Sequence, residues 1–161
     1  MLTYRNISRV FDSHEQLINT LNNIFQPMNR ALLCGAIEGL VSQYGYHFHL
    51  NDEAYYPTVI SRYPAAFMSQ PEFESIEGRQ HGRISYKVTL RLARQGAKLA
   101  PAERNELLDR MEQELIELFV AISKAECVAV VNELTISPSA QPIDNHGAVS
   151  LEAKANVTTI F

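Results

Sequence analysis

Residues 82–94 read GRISYKVTLRLAR. Ile84, Tyr86, Val88, Leu90 and Leu92 take every second position, and Arg83, Ser85, Lys87, Thr89 and Arg91 fill the places between. Successive side chains of a strand point to opposite faces, so this period of two predicts a strand with one apolar and one polar, cationic face. The same pattern returns in GAVSLEAKANVTTIF, where Val149, Leu151, Ala153, Ala155 and Val157 oppose Ser150, Glu152, Lys154, Asn156 and Thr158. In CVAVVNELTIS the spacing places Val128, Val130, Leu134 and Ile136 on one side, with Asn132 as the exception. The turn formers of PSAQPIDNHG separate these last two strands and predict an antiparallel hairpin with its loop at about 137–147.

A sheet that is apolar on one face needs a cover on that face alone, and amphipathic helices can supply it. Three segments have the spacing. Ser13 and Gln16 form a capping-box pattern, and Leu17, Ile18, Leu21, Ile24 and Phe25 follow at helical intervals up to Pro27. In NRALLCGAIEGLVSQYG, Leu32, Leu33, Ala36, Ile37, Leu40 and Val41 favour a helix, with a strand pair as the alternative. Gly35 and Gly39 weaken the helix and Gly45 is placed to stop it. The third helix spans about 102–124, with Pro101 near its first turn and an apolar stripe of Leu108, Met111, Leu115, Leu118, Phe119 and Ile122. YGYHFHL alternates as a short strand, NDEA is a turn, and YYPTVISRYP reads as a strand that Pro57 confines to an edge or bulge. Residues 64–82 have no clean period and read as a long loop containing Phe67, Met68 and Phe73. The fold class is therefore α+β: a mixed, mostly antiparallel sheet with helices on one face, in one domain spanning residues 1–161.

Composition narrows the function. Hydrophobic residues make up 46% and charged residues 20%, the balance of a globular chain. A net charge of -4 argues against nucleic acid as the main partner, because phosphate binding needs a surplus of cations on some face. No apolar run has the length of a signal peptide or a membrane span, so an intracellular protein is expected. Cys34 and Cys127 lie in apolar segments outside any ligand spacing and read as reduced, inert thiols.

No phosphate-cradling glycine loop, nucleophile elbow or HExxH is present. The one metal candidate is His47-x-His49, whose imidazoles share a strand face ahead of Asp52 and Glu53, but without a defined third ligand. No catalytic group or cofactor is expected. Charge is the remaining signal. Residues 79–98 carry Arg79, Arg83, Lys87, Arg91, Arg94 and Lys98 and no acid, whereas Glu72, Glu74 and Glu77 precede them and the acidic helix follows. Three readings stay open: a solvated strand face, a nucleic-acid face that lacks stacking aromatics, or unlike patches that meet between copies of the chain.

The order of the elements resembles the tail-terminator and tail-completion proteins of long-tailed phages and prophages. The likeness lies in the helix-led N-terminus, YPTVISRYPAAF before the loop, ISYKVTLRLAR leading into AERNELLDRMEQELIELF, and the closing GAVSLEAKANVTTIF. The resemblance implies a non-enzymatic structural protein that assembles as a ring, commonly hexameric, on the tail tube and meets tube and head-completion proteins. Its implied place is the cytoplasm during assembly and then the virion or a tail-like particle. Arg83, Lys87, Arg91, Phe67 and Phe73 become interface candidates under it. The alternatives are a small metal-dependent enzyme using His47 and His49, and a monomeric binding module of a mobile element.

Overall fold

The computed structural model describes residues 29–50, 63–78, 82–139 and 147–160. In chain order they form α1 (Asn29–Gln43), β1 (His47–Leu50), β2 (Ala65–Met68), β3 (Glu72–Glu77), β4 (Arg83–Arg94), α2 (Pro101–Ser123), β5 (Val128–Pro138) and β6 (Val149–Ile160). The helix expected at residues 13–25, the NDEA turn and residues 55–62 of the strand expected in YYPTVISRYP lie outside the described residues, and Tyr63 and Pro64 at its end are not in a strand. The six strands make one sheet in the order β1-β2-β4-β6-β5, with β3 added on β4. Only β1 and β2 run parallel, and the other pairs are antiparallel. This is the α+β architecture that the alternating strands require.

The organising strand is β4. It pairs with β6 along its whole length, from Arg83 opposite Ile160 to Arg94 opposite Val149. On its other side β3 holds the first half and β2 the second. Its even-numbered residues Tyr86, Val88, Leu90 and Leu92 are buried beneath the helices, together with Leu151, Ala153, Ala155 and Val157 of β6. Met111, Leu115, Leu118 and Ile122 of α2 and Leu33, Ile37 and Val41 of α1 close this core from above. Each large side chain so buried stabilises the fold by roughly 1.5–3 kcal/mol before conformational entropy is counted.

Both helices follow their local signals. α1 is a helix, not a strand pair, with Leu33, Ile37 and Val41 repeating at intervals of four. It ends at Gly45, whose φ of 83° is the left-handed geometry that glycine adopts without a Cβ clash. α2 starts with Pro101, and the Glu103 carboxylate accepts a hydrogen bond at 2.9 Å from the Ala100 backbone N–H.

Three expectations need correction. Residues 64–82 are not a loop, for they contain β2 and β3. β2 hides its period because all four residues are buried: Ala66 and Met68 enter the main core, while Ala65 and Phe67 join Ala93 in a second cluster. β3 hides its period in a different way. An irregularity between Phe73 and Ser75 puts Phe73 opposite Tyr86 and Ile76 opposite Ile84, so two residues three apart share a face. The sheet is also not covered on one face alone, since Phe67 is 0% exposed on the side away from the helices. Finally, Val130 does not face the core. Register shifts at Val128/Val130 and Asn132/Thr135, the second containing Glu133 at φ 56°, turn Val131, Leu134 and Ile136 inward and leave Val130 exposed.

The glycines of α1 provide a paired test. A Cβ at Gly39 meets nothing within 4 Å, so Gly39→Ala raises stability by about 0.5–1 kcal/mol through helix propensity. Gly45→Ala places a side chain at positive φ and costs about 1 kcal/mol. Chemical denaturation midpoints should move in opposite directions for the two variants.

Candidate functional site

The cationic face of β4 is answered residue by residue within the chain. Arg83 stands across from Glu77 and Lys87 across from Glu72, both on β3. Arg91 stands across from Glu152 on β6, and its Nη2 reaches a carboxylate oxygen of Glu152 at 2.5 Å. Lys154 takes the other Glu152 oxygen at 3.0 Å. Glu72 and Glu77, which precede the basic stretch in sequence, are therefore its neighbours in the sheet, as is the distant Glu152, and directly opposite unlike charges stabilise pairing.

Arg94 departs from this pattern because its even number puts it on the helix side. There its Nη2 donates to both carboxylate oxygens of Glu114 on α2, at 3.0 and 3.3 Å, and its Nε donates to the Tyr46 hydroxyl at 3.0 Å. The guanidinium also lies 4.9 Å above the Tyr46 ring. The Tyr46 hydroxyl donates to Glu114 in turn. Burial and that hydrogen bond hold the Tyr46 phenol well above its ordinary pKa, with Arg94 opposing. One helical turn on, the Tyr44 hydroxyl donates to Glu117 at 3.3 Å. These contacts tie α2 to the start of β1 and the end of β4, and every polar atom named is engaged by another side chain.

The sequence-based candidates separate on the surface. Arg83 and Lys87 are exposed. Arg91 is only 5% exposed and bound to Glu152, which corrects its assignment as a surface contact. Phe67 is likewise corrected, because it is fully buried in the second cluster. Phe73 is 56% exposed. His47 is exposed, whereas His49 is half-buried and stacks on Phe67 with ring centroids 5.2 Å apart. Burial and the neighbouring His47 lower the pKa of His49. Asp52 and Glu53 lie outside the described residues, and among the described residues no three ligating side chains come together around a metal position. Among those residues no helix is long and apolar enough to cross a membrane.

The Tyr46–Arg94–Glu114 cluster escaped the sequence reading, although a signal existed. Arg94 continues the even-numbered apolar series of β4, and Glu114 interrupts the stripe between Met111 and Leu115. Two charges of opposite sign on faces that must meet are candidates to pair. No family model matches the chain, and no curated protein matches it.

Two measurements probe these pairs. Glu114→Ala leaves the half-buried Arg94 guanidinium and the buried Tyr46 phenol without their shared carboxylate acceptor, and should lower unfolding free energy by about 1–3 kcal/mol. Burial pushes the Glu152 carboxyl up, but hydrogen bonds from Arg91 and Lys154 outweigh it and hold the folded-state pKa below the usual 4.5. The carboxylate therefore stabilises the fold above that value and loses its contribution as pH falls through the lowered one. Thermal unfolding across acid pH should show a shallower pH dependence for Glu152→Gln than for the parent chain.

Proposed function

We propose that the chain is a structural protein of a phage or prophage tail, which assembles as a ring that terminates the tail tube and supports head–tail joining. The order and texture of its elements support the reading, as does the α+β sheet with its helices on one face. One observation carries it: β3 is exposed along all six residues and pairs, among the described strands, only with β4. Such an edge presents a row of backbone donors and acceptors to an incoming strand. Its acids Glu72 and Glu77 and the neighbouring cations Arg83 and Lys87 set the register that a second copy must match. The outer strand on the opposite side, β5, is unlike it, since two irregularities interrupt its pairing. Contact between unlike surfaces of successive copies is head-to-tail and closes into a ring when the rotation per copy divides a full turn.

The mechanism is steric. The ring occupies the last layer of the tube and denies the next tube subunit its site, while its far side offers a platform for head-completion proteins. Arg83 and Lys87 act as interface residues, and no covalent step is involved.

Native mass spectrometry of the purified 18.2 kDa chain, alone and mixed with tail tubes, tests the reading. A closed ring is expected, and Arg83→Glu with Lys87→Glu should shift it to smaller species without changing the circular dichroism of the fold. A single chain under every condition overturns the assembly reading. A ring indifferent to the charge reversal overturns the assignment of its contact.

A further inference from the structure

Two patches on opposite sides of the molecule combine exposed apolar and charged side chains. On the solvent side of α2, Ile116 and Val120 stand one helical turn apart, and Asp109 and Glu112 continue the same ridge toward the N-terminus. On the sheet face away from the helices, Ile160 stands across from Arg83 and Val130 across from Thr158, so both share that face with Arg83 and Lys87. The hydroxyls of Ser85 and Thr158, 2.8 Å apart, lie on the same face between them. The four apolar side chains are between 37% and 48% exposed. One patch is thus apolar and acidic, and the other apolar and cationic. Glu72 and Glu77 flank the two cations on the β3 side alone, which leaves them open toward β6.

We propose that the α2 ridge of one copy packs on this sheet face of the next. The contact rests on the assembly proposed above, in which Arg83 and Lys87 are interface residues, and supplies what they meet. The spacings agree. Asp109 precedes Ile116 by seven residues and Glu112 precedes Val120 by eight, roughly 11 Å along a helix. β6 and β5 lie one and two strands beyond β4, about 5 and 10 Å away. A helix laid across the strands therefore sets Ile116 and Val120 over Ile160 and Val130 while its carboxylates reach Arg83 and Lys87. Complementary patches on opposite sides cannot meet within one chain, so their contact runs head to tail from copy to copy. The helix lies on the face of the sheet, and the backbone edge of β3 stays open for strand pairing.

Charge exchange in the full chain tests the contact, read by native mass spectrometry. Asp109→Lys with Glu112→Lys should disperse the ring into smaller species, as Arg83→Glu with Lys87→Glu does, and all four changes in one chain should restore it. A ring that survives the α2 changes, or a quadruple variant that stays dispersed, overturns this contact, while the assembly reading stands as long as the parent chain forms a ring. A single chain under every condition overturns both. Cross-linking gives a second readout. In a background of Cys34→Ala and Cys127→Ala, Ile116→Cys and Ile160→Cys chains are oxidised separately and as an equal mixture. Bonds between unlike chains, found in the mixture alone, are expected. Bonds formed by Ile116→Cys chains on their own mean that the α2 ridge meets itself and overturn the proposal, as does the absence of any bond in the mixture.

Discussion

The rest of the molecule depends on the two-sidedness of β4. One face of this strand contributes Tyr86, Val88, Leu90 and Leu92 to the core, and the other presents Arg83, Lys87 and Arg91. A strand of this kind can lie only between neighbours that answer both faces. β6 does so with Leu151, Ala153 and Ala155 on one side and Glu152 on the other, and β3 and β2 share the remaining edge. The helices settle on the apolar side because that is where burial is gained. The chain's separation of charge thus has a use inside the fold, since cations of one strand lie beside acids of the next.

The two buried or half-buried ion pairs have different structural consequences. Arg91 and Glu152 are nearly out of water, and the desolvation of both charges offsets much of their attraction. Their effect is on register, because a one-residue slip would leave each charge beside a neutral side chain. Arg94 and Glu114 retain more contact with solvent and link sheet to helix. With Tyr46 between them they fix how far along the sheet α2 sits. That placement in turn aligns Met111, Leu115 and Leu118 over the strands.

The outer parts of the sheet are built differently from the centre. β5 carries two irregularities and a residue at positive φ, which twist an edge and make it a poor template for unwanted pairing. β3 has one irregularity and no cover on either face from the described residues. The contrast between a guarded and an open edge underlies the proposed head-to-tail assembly.

The sequence by itself determined the elements with undisturbed periods: β4, β6, the stripe of α2 and the glycine that ends α1. In these the residues that the local pattern marks as apolar are the ones the helices and sheet bury, although the polar face of β4 is wet only in its first half and Arg91 and Ala93 are buried as well. Tertiary structure alone decided the rest. β2 is buried on both sides, so AAFM shows no alternation, and only its neighbours reveal it as a strand. β3 and β5 shift phase at their irregularities, which moves Ile76 onto the face of Phe73 and exchanges Val131 for Val130 in the core. Of the surface candidates, Arg83, Lys87 and Phe73 are exposed, but Arg91 and Phe67 are not. A cation on a strand face looks the same in sequence whether water or a carboxylate lies beside it. Which of the two it meets depends on a residue some sixty positions away, and only the folded sheet brings Glu152 to Arg91.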